Sequence, residues 1–181
     1  MAKATPEHFA GCLIGQCLGD ALGFLVEGRE PETCARYVAE LTPRRPPARR
    51  RGAFRFGQYS DDSQLARELM QSFAACRGFD PADYGLRIGA IFAENRIVGR
   101  GRATEEAAQR LVAGVPWTES GTPAPSAGNG SAMRAGPLGL LFGADDLAAA
   151  AHDQGRATHA DPRCSAGAAA VAGAVALGLE P

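Results

Sequence analysis

The sequence predicts an all-α fold, and three observations carry that expectation. Alanine, the strongest helix former, occurs 36 times, while the β-branched Val and Ile together occur 11 times. Asp80-Pro81 and Asp161-Pro162 each place an N-cap before a proline at the first helical position. Leu65, Leu69 and Phe73 recur at i, i+4 and i+8, with Ala66 and Met70 beside them, as on the buried face of a helix. The only alternating pattern, near residues 54–59, is a few residues long. At 181 residues the chain is long enough for one domain with a sizeable core, so residues 1–181 are expected to form a single unit.

The first helix is expected over residues 6–26. It carries Gly11, Gly15, Gly19 and Gly23, a glycine at every fourth position. Each costs roughly 1 kcal/mol relative to alanine inside a helix, and together they make a smooth ridge for close packing of another backbone. Residues 42–51 contain three prolines and five arginines and are expected to be a solvated loop. No aromatic residue is interleaved for base stacking, so a nucleic-acid partner is not expected. A helix should begin near Ser60-Asp61-Asp62-Ser63, and another after Asp80-Pro81 through Leu86, Ile88, Ile91 and Phe92. Thr104 can cap a further helix carrying Ala107, Ala108 and Leu111. Residues 114–128, rich in Pro, Gly and Ser, are loop. Residues 132–142 should form a short helix interrupted at Gly136-Pro137, residues 145–153 a further helix, and residues 163–179 a small-residue helix opened by Asp161-Pro162.

Composition excludes several function classes. With 19 basic and 20 acidic residues the net charge is −1, which gives no overall field toward nucleic acid or a membrane surface. Five cysteines (Cys12, Cys17, Cys34, Cys76, Cys164) include no C-x-x-C pair and read as reduced, buried small hydrophobes. Gln16 and Asp20 break the apolar stretch after residue 9, against a secretory leader, and the uncharged tail 165–179 is too short for a span. A soluble, cytoplasmic protein is expected, with no membrane partner.

Three clusters could carry chemistry. Asp20 and Glu27 lie seven residues apart, nearly two helical turns, so a persisting helix would point both carboxylates the same way. Two surface acids are the plainer account. Ser60-Asp61-Asp62 is what a helix start favours on capping and dipole grounds alone. It is equally a set of hard oxygen donors that could form one edge of a magnesium site. Gly128-Asn129-Gly130-Ser131-Ala132-Met133-Arg134 offers backbone N–H groups to an anion without being a P-loop or a Rossmann fingerprint. The plainer account there is an Asn-Gly turn with a serine cap. His159, in Thr158-His159-Ala160-Asp161-Pro162, could bind a substrate or satisfy a carbonyl.

The order of these motifs resembles the ADP-ribosylglycohydrolase family, which includes the dinitrogenase-reductase-activating glycohydrolase. The resemblance runs through Gly15-x-x-x-Gly19-Asp20-Ala21-Leu22-Gly23-x-x-x-Glu27, Tyr59-Ser60-Asp61-Asp62-Ser63, residues 128–134 and Thr158-His159-x-Asp161-Pro162. It implies a compact all-α fold with two Mg²⁺ ions at the floor of an ADP-ribose cleft. Carried over by position, Ser60 (usually threonine in the family), Asp61 and Asp62 would be metal ligands. Glu27 would orient or activate the attacking water, with Asp61 and Asp62 as its partners in catalysis. Gly128, Asn129, Gly130, Ser131 and Met133 would cradle the diphosphate or adjoining ribose, and His159 would line the ribose end. The implied partner is an ADP-ribosylated protein or an ADP-ribose-containing small molecule.

The family's late Asp-x-Asp-Thr/Ser motif has no counterpart here, so the resemblance implies a partial domain lacking its C-terminal helices. That leaves the helix at 163–179 without packing partners, and association through it, or with a complementing chain, is expected. The alternative to a hydrolase is a non-catalytic ADP-ribose-binding or structural remnant of the same fold.

Overall fold

The computed structural model describes residues 3–41 and 50–179, and among these the fold is all-α. The elements in chain order are α1 (Pro6–Gly23), α2 (Pro31–Glu40), β1 (Arg50–Arg51), β2 (Phe54–Arg55), α3 (Asp61–Cys76), α4 (Pro81–Ala93), α5 (Arg102–Val112), α6 (Trp117–Ser120), α7 (Leu138–Leu141), α8 (Ala144–Arg156) and α9 (Pro162–Leu177). The two short strands form an antiparallel hairpin with Arg50 opposite Arg55 and Arg51 opposite Phe54. Much of the arginine-rich loop, residues 42–49, lies outside the described residues.

The core gathers the apolar faces of α3, α4, α5, α8 and α9. Leu65 and Leu69 meet Tyr84, Ile88 and Ile91, and the alanines at 151, 168 and 172 close the far side. Small side chains there let helices approach closely. A Cβ on Gly139 of α7 would sit 2.2 Å from the Ala172 carbonyl of α9, so alanine at 139 would force the two helices apart. Asp80 and Asp161 cap α4 and α9 as expected: Asp80 Oδ1 accepts from the N–H groups of Ala82 and Asp83, and Asp161 Oδ1 from that of Arg163.

Several expectations are corrected. Helix α1 ends at Gly23, and the chain continues in three-residue turns to Gly28, which takes φ +69°. Thr104 does not cap α5: Gly101 stands at that position, and Thr104 is buried inside the helix. Residues 132–142 form turns with only the single-turn α7 at their end. Helix α2 has no sequence-derived counterpart; it buries a single side chain, Tyr37, whose hydroxyl donates to the Leu22 carbonyl at 2.8 Å. Of the five free cysteines only Cys164 is fully buried, and Cys76 is exposed.

The glycine ridge of α1 is the largest departure. No residue of α1 is buried, and Cβ atoms built on Gly11, Gly15, Gly19 and Gly23 would meet nothing within 4 Å. The helix rests on α3 through Gln16 and Asp20, beside the glycine row. Gly11 and Gly15 line a groove of about 810 Å³ between α1 and α9, with Met133, Leu140, Val171 and Val175, while Gly19 and Gly23 line a neighbouring cleft.

Candidate metal and substrate cleft

Ser60 stands at the N-cap of α3 with extended backbone, yet its hydroxyl does not cap the helix. The cap comes from α1. Asp20 Oδ2 accepts from the Ser60 N–H at 2.8 Å, the Ser63 N–H at 3.1 Å and the Ser63 hydroxyl at 2.7 Å, and Asp20 Oδ1 accepts from the Ser60 hydroxyl at 2.7 Å. One carboxylate thus satisfies two orphan N–H groups of a helix forty residues away and complements its dipole. Asp20 is therefore a structural acid rather than a free ligand. The Ser60 oxygen keeps lone pairs and lies 3.1 Å from Asp62 Oδ2.

Asp61 and Asp62 follow with almost no compensating charge. Asp61 is 7% exposed, and Gly99, at φ +75°, brings its backbone so close that a Cβ there would lie 3.0 Å from Asp61 Oδ1. Burial, then repulsion from Asp62, pushes the Asp61 carboxyl up to about 7. Burial and the Asp20 charge push Asp62 up as well. Gln16 fixes the neighbourhood by donating to the carbonyls of Asp62 at 2.8 Å and Met133 at 3.0 Å, which ties α1 to the start of α3 and to the 130–134 turns. Gln16, Gly99 and Gly101 were not among the sequence candidates. The one available signal was a glutamine inside an otherwise apolar helical stretch.

Because α1 stops at Gly23, Glu27 does not share a helical face with Asp20. It reaches the same place by the turn that follows, and its charge is among those that raise Asp61 and Asp62. Its side chain is 61% exposed and accepts from Arg51 Nη1 at 2.6 Å. Arg51 also donates to the Phe24 carbonyl and stacks its guanidinium 4.6 Å from the Phe24 ring centroid, so one arginine of the basic loop is held at this cleft.

A cleft of about 430 Å³ brings together Gly23, Glu27, Ser60, Asp62, Asn129 and Met133 from three separate stretches of chain. Asp61 lies behind Ser60 and is not on its wall, and neither is His159. The histidine instead backs the 128–131 loop. A Cβ on Gly130 would meet His159 Cε1 at 2.5 Å, and one on Gly128 would meet Nε2 at 3.4 Å, so the ring packs where only glycine leaves room. The Ser131 hydroxyl is fully buried and donates to the Cys164 carbonyl at 2.9 Å, anchoring the loop to α9 instead of facing a ligand. A parallel bridge holds the other side: the Thr122 N–H donates to the Thr158 carbonyl and the Ala160 N–H to the Thr122 carbonyl, both at 2.9 Å.

Among the described residues, no three His, Cys, Asp or Glu side chains are grouped closely enough to enclose a metal ion. The donors present still suit a hard divalent cation along one edge. They are a hydroxyl and two carboxylates at a helix start, both acids raised by burial and by neighbouring carboxylates.

A family model described as ADP-ribosylglycohydrolase matches residues 1–180. An uncharacterized protein of Archaeoglobus fulgidus is 31% identical over 175 residues, covering 96% of this chain and 56% of that protein. The ADP-ribosylhydrolase ARH3 of Gallus gallus is 29% identical over 195 residues, covering 99% of this chain and 52% of that protein. A solved structure titled "ADP-ribosylglycohydrolase-related protein complex" superposes with a TM-score of 0.70 at 30% identity, over 95% of this chain and 56% of its own. The chain spans about half the length of the curated relatives it matches.

Proposed function

We propose, because the chain belongs to the ADP-ribosylglycohydrolase family, that its cleft binds the ADP-ribose of an ADP-ribosylated protein or small molecule for Mg²⁺-dependent hydrolysis at the anomeric carbon. The observation that carries this is the convergence of Glu27, Ser60, Asp62, Asn129 and Met133 on one cleft. Ser60, Asp61 and Asp62 would hold the cations. When bound, these would supply positive charge to the ribose hydroxyls and to an attacking water. The other work falls to the chain's own groups. Glu27 would leave Arg51 to take a proton from that water. The 128–133 turns would carry the diphosphate or ribose on backbone N–H groups, with His159 behind them.

A second reading, ADP-ribose binding without turnover, is favoured by the absence of a three-ligand cluster among the described residues. We further propose that hydrolysis belongs to an assembly in which the groove between α1 and α9 is covered by the helices that make up the rest of the longer relatives, on the same or a separate polypeptide. The open glycine ridge supports this.

Calorimetric titration of ADP-ribose with and without Mg²⁺, beside an assay on ADP-ribosylated arginine and serine, separates these readings. Asp61→Ala and Asp62→Ala should each abolish the Mg²⁺-dependent part of binding. Unchanged Mg²⁺ dependence in both variants would return residues 60–62 to a plain helix start. Binding without turnover would select the second reading.

A further inference from the structure

Behind the glycine loop lies a buried polar chain that the proposed reaction does not use directly. Arg134 is completely buried, with Nε donating to Gln154 Oε1 and Nη2 donating to both the Gln154 carbonyl and Thr158 Oγ1, the latter at 2.8 Å. The guanidinium lies 5.4 Å from the Tyr84 ring centroid, and its Nη1 has no partner. Thr158, also completely buried, places Oγ1 2.8 Å from His159 Nδ1.

The direction of that last hydrogen bond decides where the imidazole proton sits. Thr158 has one hydroxyl hydrogen and two acceptors in reach, His159 Nδ1 at 2.8 Å and the Gly155 carbonyl at 3.3 Å. The Gly155 oxygen already accepts the N–H groups of Thr158 at 3.0 Å and His159 at 2.9 Å, which occupies both of its lone pairs. Arg134 donating into Oγ1 fills a lone pair there and polarises the hydroxyl toward giving its own proton. Crowding at the Gly155 oxygen and the shorter distance to Nδ1 both favour donation of the hydroxyl hydrogen to Nδ1. An imidazole that accepts at Nδ1 carries its hydrogen at Nε2 when neutral. Burial and the Arg134 charge both disfavour imidazolium.

We propose that Thr158, polarised by Arg134, is a positioning residue that locks His159 as the Nε2–H tautomer and turns that N–H onto the Gly128–Gly130 loop, fixing from behind the turns that carry ADP-ribose. The edge of the ring that faces the loop is the Cε1–Nε2 edge, as the close approaches at Gly130 and Gly128 establish. A hydrogen at Nδ1 would instead leave a lone pair facing the loop. The ligand half of this proposal rests on the function proposed above; the tautomer half does not.

Long-range ¹H–¹⁵N correlation spectra of the free protein read the tautomer directly. Wild type should show a protonated Nε2 and an unprotonated, hydrogen-bonded Nδ1 for His159. Thr158→Val, which keeps the shape without the hydroxyl, should lose the single tautomer, and Thr158→Ser should restore it. ADP-ribose should shift the Nε2 resonance in wild type, bind about tenfold more weakly to Thr158→Val, and recover affinity with Thr158→Ser. A wild-type proton on Nδ1, or a mixture, overturns the proposal, as does a tautomer unchanged in a folded Thr158→Val protein. Equal affinity for wild type and Thr158→Val overturns the ligand half. A wild type that shows the Nε2–H form yet fails to bind ADP-ribose refutes the proposed function and leaves the tautomer lock standing.

Discussion

Asp61 and His159 are both buried near the cleft, and their titrations pull stability in opposite directions. The Asp61 carboxyl rises from 3.8 to about 7, so the folded chain keeps a proton that the unfolded chain releases. That stabilisation is complete below the unfolded value and disappears as pH climbs through about 7. His159 falls from 6.5 to about 4 through burial and Arg134, so its contribution is present above 6.5 and is lost as pH drops toward 4. Asp61→Asn removes the first effect alone. In metal-free buffer its melting temperature should rise with pH between 4 and 6.5 more steeply than that of wild type. The displaced Asp61 titration corresponds to roughly 4 kcal/mol between its two charge states, so the variant should also be the more stable protein at pH 8. Parallel curves for the two proteins, read by calorimetry, would contradict the account of Asp61. Gly130 makes a steric prediction at the same scale. Gly130→Ala drives a methyl into the His159 ring and should lower stability by about 1–3 kcal/mol. Gly130 is not among the positive-φ glycines, so its cost is the clash alone; Gly114→Ala, at φ +87° with no neighbour within 4 Å, gives the cost of backbone strain alone for comparison.

Helix α3 owes its start to a residue on another helix. Replacing Asp20 by alanine leaves the N–H groups of Ser60 and Ser63 and the Ser63 hydroxyl without this acceptor, and should cost about 3 kcal/mol in urea unfolding. Asp20→Asn, which keeps one acceptor oxygen, should cost less. This cap also marks where sequence reasoning stopped. Asp80 and Asp161 cap helices that begin one residue later, and a local pattern suffices to find them. Ser60 carries the same local pattern, but its hydroxyl turns to Asp20, a partner that only the folded chain reveals. Thr104 failed for a related reason, since a buried threonine inside α5 and a capping threonine look alike in a short window. Helix α2 lacks the repeated apolar stripe that exposes a helix in sequence, because Tyr37 alone is buried. The order and spacing of the 60–62 cluster and the 128–131 loop singled them out in sequence, and the fold brings Ser60, Asp62 and Asn129 of them to one cleft. The pairing of Glu27 with Arg51 was not, since it depends on α1 ending early.

For the whole molecule, the core lies under α3, α4, α5, α8 and α9, while α1 shelters the cleft without burying a residue of its own. Among the described residues no helix is long and apolar enough to cross a membrane, so that is no explanation for the exposed Ile14, Leu18, Val171 and Leu177. Of these, Val171 lines the groove between α1 and α9 that the proposed covering would close. With open space over Gly11 and Gly15, alanine at both positions should stabilise the isolated chain by about 1–2 kcal/mol. The same pair should weaken its complex with the covering helices, measured by sedimentation. Strengthened or unchanged association would show that the ridge is not the contact. A mutational survey would therefore score this row of glycines as permissive when the chain is selected by itself. Were the proposed covering helices present during selection, the row would become one of the strictest tracts, and the difference between the two surveys would trace their footprint position by position.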